Sequence, residues 1–285
     1  MDVKVEQIEL KKVKSDKPAK SGKSIRFRFI HFTALFVIFS GALIIISLST
    51  IFVRGETASI LENLSNEEVL FAIQLSLWTS AISTILCLLV AIPVAYTLAR
   101  AEFRGKTIVN TLVDLPMALP PLIAGLGLLL LFGTTAVGDF FRLFGIKFVF
   151  TVWGVLIAQF FVNLPLATRI MRSIFFGIDP RYEYVAKTLG CTGREAFQKV
   201  ALPMAKDGIF ASFTLTFARA MGEFGATLMI AGSIRMETET LPISVYLNMT
   251  SGHLELAIAA AIILVIISVV SLYVCEKLTG SPRIF

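Results

Sequence analysis

Six stretches of this chain run through apolar residues almost without a formal charge, and no other feature constrains the fold as much. They are Phe29–Val53, Leu70–Ala99, Ile108–Phe132, Phe148–Ala167, Ile209–Ala231 and Leu256–Cys275. At 1.5 Å per residue, a helix of each length crosses a hydrocarbon layer of about 30 Å. Only 16% of the 285 residues are charged and 56% are hydrophobic, whereas soluble domains run near one-quarter charged. That balance argues against a soluble enzyme, a disordered tail or a disulfide-rich module. An all-α polytopic membrane protein with six transmembrane helices is expected.

The expected organisation is a basic tail over residues 1–28, a first transmembrane helix over 29–53 and a five-helix transmembrane domain over 70–276. The first helix is read as a retained anchor. A cleaved signal peptide would have a shorter apolar core and a small-residue cleavage site. The third segment contains Asp114, Pro116, Pro120, Pro121, Gly125 and Gly127. Proline interrupts the helical ladder, and the freed backbone groups must then face protein or water. It is read as a kinked inner helix, or as a helix that begins near Pro116.

Charge sets the orientation. With the N-terminus inside, the cytoplasmic segments carry 21 Lys and Arg and the outer loops carry 4. Positive residues collect on the cytoplasmic side. Both termini are therefore expected in the cytoplasm of a multi-pass plasma-membrane protein. The net charge of +6 needs no nucleic-acid partner, and the tail is read as an orientation signal that touches anionic lipid.

The longest inside connection runs from Arg169 to Gly208, with a core at about 180–203. It alternates charged and apolar residues at helical spacing, with Tyr184, Ala186 and Leu189 on one side. Two readings are open: a helix with a task, or one that only rests on headgroups.

Inside the fifth segment, Ser212, Thr216, Arg219, Glu223 and Thr227 follow at spacings of three and four, on one helical face. An unpaired charge near the midplane costs roughly 2.5–3.5 kcal/mol or more, and Glu223 stands one turn from Arg219 to offset it. The stripe reads either as a translocation path or gate, or as a buried pair that locks packing. Ala218, Gly222 and Ala226 on the adjoining face allow close helix contact.

Other motifs fall away. Ser21-Gly22-Lys23-Ser24 lacks the upstream glycine and strand of a nucleotide-binding loop. Cys87, Cys191 and Cys275 have no metal-ligand spacing, and no catalytic set accompanies His31 or His253. The sequons at Asn63 and Asn248 are short enough to arise by chance.

The region 183–203 resembles the coupling loop of ABC importer permeases. Ala186, Gly190, Val200 and Leu202-Pro203 stand at the family's intervals, while Tyr184 and Val185 replace its Glu-Ala and Glu183 stands one place early. Asp114-Leu115-Pro116 through Gly125, and the run from Arg219 to Thr227, resemble the oxyanion permeases, closer to molybdate and tungstate members than to sulfate ones. The resemblance covers about 70–275. It implies the type I ABC importer permease fold and a non-enzymatic subunit that binds no cofactor itself. It further implies a second copy of the chain, two ATP-binding subunits that carry ATP and Mg, and an external substrate-binding protein. Glu183, Tyr184, Ala186, Gly190, Val200, Leu202 and Pro203 would couple to the ATPase. A sulfate permease is the related alternative. An ion-coupled carrier or channel working without an ATPase is the alternative from another class, and a membrane-embedded enzyme is the remotest.

Overall fold

The structure, a computed structural model, describes residues 21–54 and 66–279, without the side chains of 21–33, 54, 275, 276, 278 and 279. The lysines up to Lys20, the Asn63 sequon, Arg283 and the Cys275 side chain lie outside the described residues. Every regular element among those residues is helical.

By backbone contacts the chain divides into residues 1–50 and 51–285. The first unit holds all but the last four residues of α1 (Ser21–Arg54), whose Ala34–Val53 portion is long and apolar enough to span. The Ser21–Ser24 stretch forms its first turn.

The second unit is organised around two long helices, α2 (Glu67–Arg100) and α6 (Val152–Gly177), which pack along their lengths. Asn66 caps α2 by accepting the Glu68 N–H at 2.9 Å, and Glu67 and Glu68 sit favourably at its positive end. Its buried face is made of small residues, including Ala72, Ser76, Ser80, Ser83, Cys87, Ala91 and Ala95. Small side chains at three- and four-residue spacing let the two backbones approach, which drives association where lipid removes the hydrophobic advantage. Helix α6 answers with Gly154, Ala158, Val162, Ala167 and Met171.

Between them the third apolar segment is not one helix. It divides into α3 (Lys106–Ala118) and α4 (Pro121–Thr134), bent by 107°. Leu119 is extended, as a residue before proline is held, and Pro121 starts the new helix. The expected kink is thus a break. A short helix α5 (Ala136–Leu143) precedes α6. Helix α6 runs ten residues beyond the expected end at Ala167 and carries Arg169 and Arg172 on its last turns.

After α6 come α7 (Arg181–Thr188), α8 (Gly193–Ala196), a π-helical turn (Phe197–Ala201) and α9 (Leu202–Met204). The fifth apolar segment is also broken, into α10 (Lys206–Met221) and α11 (Gly225–Ala231). Helix α12 (Leu241–Thr250) then packs on α2 and α13 (Leu254–Thr279).

The chain dips back before α12. Arg235 bonds Glu68 at the start of α2 and Ser251 at the end of α12, whereas the Leu241 N–H donates to Ser76 Oγ at 2.7 Å. Ser76 lies eight residues, about 12 Å, further along α2. Helix α12 therefore starts inside the bundle and climbs back. Asn248 of the second sequon is fully buried there and bonds Ser244, so it offers no surface acceptor.

Among the described residues four helices are long and apolar enough to span, or five with the bent α3–α4 pair taken as one. That count falls short of the expected six, because the Ile209–Ala231 run breaks into α10 and α11, of 16 and 7 residues.

Candidate functional site

Two places gather the residues singled out by the sequence: the α7 loop and the break between α10 and α11.

Helix α7 starts where Asp179 accepts the Arg181 N–H at 2.9 Å, and Glu183 and Lys187 match the two ends of its dipole. It stops at Gly190, whose φ of +96° is left-handed. The Cys191 N–H reaches the Ala186 carbonyl and the Gly190 N–H reaches that of Lys187, the paired bonds of a Schellman ending. Gly190 makes a tight turn, although a Cβ there meets no atom within 4 Å. Backbone conformation, not space, selects glycine.

The helix is inverted relative to ordinary amphipathicity. Its two buried residues are Glu183 and Ala186. Tyr182, Tyr184 and Val185 are exposed, as is Leu189 just past its end; Tyr184 is 62% and Leu189 81% accessible. The expected grouping of Tyr184 and Leu189 with Ala186 is therefore corrected: Ala186 is buried while the other two are exposed. Glu183 is paired with Arg100 at 2.8 Å and accepts from the Tyr96 hydroxyl at 2.5 Å. Val200 is half-buried in the π-helical turn, while Leu202 and Pro203 form α9, with Pro203 exposed.

Near this loop, a cleft of about 560 Å³ is lined by Lys106, Asn110, Asp114, Arg172 and Phe176, among others. Asp114 faces Arg169 and Arg172 at 3.5 and 3.6 Å, and Arg172 donates to Asn110 at 2.6 Å. These bonds tie α3, which buries no residue of its own, to α6.

At the second place the expected single stripe divides. Ser212, Thr216, Glu223 and Thr227 are buried in the bundle, whereas Arg219 is exposed. Arg219 and Glu223 are not among the ion pairs within 4 Å. Glu223 instead accepts the Ala226 N–H at 2.9 Å, one of the free donors at the start of α11. The hydroxyls of Ser212, Thr216 and Thr227 have no hydrogen-bond partner among the described residues. The small-residue face divides too: Gly222 is exposed at the end of α10, and Ala226 is buried against Gly125 of α4.

Gln159 of α6 closes the break from the other side. Its Nε2 donates to the Ala220 carbonyl at 3.2 Å and lies 3.4 Å from Thr79 Oγ1 and Ser80 Oγ, while its Oε1 accepts from Ser83 at 3.1 Å. One amide thus joins α2, α6 and the end of α10. Sequence reasoning missed Gln159, the Ser/Thr ridge on α2, Tyr96, Arg100 and the fully buried Glu239. The ridge at 76, 79, 80, 83 and 84 has helical spacing and was legible in principle. The others have no local signal. Among the described residues no cluster of His, Cys, Asp or Glu is arranged to hold a metal.

Residues 88–278 match the family described as the binding-protein-dependent transport system inner membrane component, two-thirds of the chain. The chain belongs to that family. The permease is 37% identical over 225 residues to a probable molybdenum ABC transporter permease protein of Haloferax volcanii, covering 79% of this chain and 81% of that one. It is 37% identical to the molybdenum transport system permease protein ModB of Mycobacterium tuberculosis, covering 69% and 75%. It is 36% identical to the sulfate transport system permease protein CysW of Synechocystis, covering 74% and 78%. Among solved structures, the permease matches a chain of a bacterial alginate ABC transporter in complex with an alginate pentasaccharide-bound periplasmic protein. The TM-score is 0.69 at 16% identity, over 91% of this chain and 98% of that one. It also matches the MetNI methionine ABC transporter in an inward-facing conformation, with a TM-score of 0.58 at 15% identity over 74% and 94%. At such identities the likeness is one of fold. The permease is a transport subunit of a multi-pass membrane assembly, not an enzyme.

Proposed function

We propose that this chain is the membrane-spanning permease subunit of an ATP-driven importer for molybdate or tungstate. The observation that carries the reading is the inverted helix α7. An exposed face of Tyr182, Tyr184, Val185 and Leu189, beside Arg181 and Lys187, sits at the end of the bundle that also carries Arg100, Lys106 and Arg172. That end is cytoplasmic on the positive-inside rule, with both termini on the same side. An apolar aromatic patch outside the bilayer calls for a protein partner. In a transport component of this family the partner is an ATPase subunit, which carries the ATP and Mg that this chain does not bind. Glu183, Tyr184, Ala186, Gly190, Val200, Leu202 and Pro203 form or hold the docking element.

Two copies of the chain, two ATP-binding subunits and an external binding protein compose the assembly. Residues 1–28 are its basic cytoplasmic tail touching lipid, 29–53 the first span and 70–276 the permease domain. Arg219 supports a path between the copies. It is exposed about 20 Å along α10, and a guanidinium at that depth must face water or protein rather than lipid. Ser212, Thr216, Glu223 and Thr227 act behind it as the packed gate.

Molybdate is preferred because relatives named for molybdenum transport share 37% identity over most of the chain. A sulfate importer is the second reading, supported by the 36% identity to the Synechocystis sulfate permease. Vesicles that hold the permease with its ATPase and binding protein provide the test. Uptake of labelled molybdate that requires internal ATP supports the reading. Uptake by the permease alone, or preference for sulfate, overturns it.

A further inference from the structure

The last turn of α2 meets every element that enters or leaves the α7 loop. Tyr96 and Arg100 stand one turn apart on the same face. The Tyr96 ring packs at 5.5 Å edge-on to Phe175, in the last turn of α6, and at 4.6 Å to Phe197, in the π-helical turn that leads out of the loop. Its hydroxyl donates to Glu183 Oε2. Arg100 Nε donates to Glu183 Oε1 at 2.8 Å, and its Nη2 donates to the Ile178 carbonyl at 2.8 Å, just before α7 begins. Both oxygens of Glu183 are therefore held by α2, and the same guanidinium also holds the segment that leads into α7.

The pair is nearly dry: the Arg100 and Glu183 side chains are 14% and 5% accessible. Apart from Glu183, α7 buries only Ala186, which has no directional bond to offer. A push on the exposed face of α7 thus reaches the bundle in a defined direction through one carboxylate. Helix α2 receives it, and α2 also carries the residues that bond Gln159 beside the α10–α11 break and Ser76, which accepts from Leu241 at the start of α12. A helix clamped at one end and bonded further along to Gln159 of α6, which holds the end of α10, and to the start of α12 is a lever.

We propose that Tyr96 and Arg100, with Glu183, form a clamp that transmits movement of α7 to α2, so that the yield of transported anion per ATP depends on these side chains. The proposal rests on the permease reading above and adds positioning residues that touch neither anion nor nucleotide. Packing alone predicts a different outcome, in which weakening the clamp lowers the amount of assembled complex but not the yield of what assembles.

The test uses the complete complex in vesicles and reads anions taken up per ATP hydrolysed, with ATPase co-purification as the assembly check. Arg100→Gln and Glu183→Gln lower that ratio by about two- to thirty-fold, the range over which residues along a coupling element modulate it. Should both variants fail to assemble, Tyr96→Phe decides. It keeps the ring between Phe175 and Phe197, removes one O–H, and lowers the ratio about twofold or more. Tyr96→Phe combined with Glu183→Gln loses no more than Glu183→Gln alone, because both act through one contact. An unchanged ratio in variants that assemble, alongside ATP-driven uptake by the wild type, overturns the clamp alone. Absence of ATP-driven uptake by the wild type overturns the permease reading and the clamp with it.

Discussion

Gly125 packs so closely on Ala226 that a methyl group on Gly125 would lie 2.6 Å from the Ala226 carbonyl oxygen and 2.7 Å from its Cα. The two interrupted segments, α3–α4 and α10–α11, meet at this contact, backbone on backbone. Gly225 repeats the closeness one residue away, where a Cβ would lie 3.1 Å from Pro121 Cβ.

Gly125→Ala therefore destabilises by about 1–3 kcal/mol, the usual cost of forcing a methyl group into filled space. Gly127→Ala, where nothing lies within 4 Å, is neutral or mildly stabilising. Thermal unfolding of the two variants in detergent tests the contrast. Equal midpoints would refute it.

Gly190→Arg lowers anion uptake while membrane insertion stays normal. The strain is conformational, about 1–2 kcal/mol for a side chain in the left-handed region, since the Cβ itself has room. Gly190→Asn, which tolerates that region better, retains more uptake. Uptake at the wild-type rate in the Arg variant counts against α7 as the docking element.

Arg219→Ala lowers uptake by about tenfold or more, the size expected when a charged hydrogen-bond donor is removed. Glu223 behaves differently because it caps α11. Glu223→Ala costs about 0.5–2 kcal/mol of stability, while Glu223→Gln keeps an acceptor for the Ala226 N–H and costs less. Transport assays and melting curves on the three variants separate the roles. Normal uptake by Arg219→Ala removes that residue from the path.

Gln159→Leu leaves the Ala220 carbonyl without its side-chain donor and Ser83 without its cross-helix acceptor. Hydrogen bonds between membrane helices average about 0.6 kcal/mol each, so a loss of about 1–2 kcal/mol is expected. Hydrogen exchange should then rise first at Met221 to Phe224. Unaltered exchange there would show that the break does not depend on the amide.

The Glu195 carboxyl is held down to about 2, first by the Thr192 N–H, then by bonds from Lys199 and the Thr192 hydroxyl. A depressed acid stabilises fully above its unfolded value of about 4.5 and loses that contribution as pH falls through about 2. The Lys199 ammonium is held above its ordinary value by the same pair, and its contribution disappears only at high pH. Protease nicking of the Thr192–Lys199 segment should therefore be flat from pH 5 to 8. A rise within that window would mean another group controls the cap.

The apolar segments, the charged end and the turn at Gly190 were legible because each depends on residues near one another in sequence. The break at Gly222–Phe224 was not, since the polar spacing of three and four runs on through it from Thr216 to Thr227 and the decisive Gln159 lies 61 residues from Ala220. The inward pairing of Glu183 had no local signal, because its partners, Arg100 and Tyr96, stand 83 and 87 residues away. Periodicity put Arg219 on the face of Ser212 and Thr216, and that rule fails when the helix ends two residues later. Spacing identifies a face but not what covers it.

The outward aromatics of α7 have a consequence for how much of this protein a cell keeps. With α7 as the proposed docking face, a newly inserted copy without its partner would display a greasy, misplaced-looking patch to the chaperones and proteases that patrol the membrane surface. On the docking reading proposed above, copies without that partner are the ones such proteases would clear first.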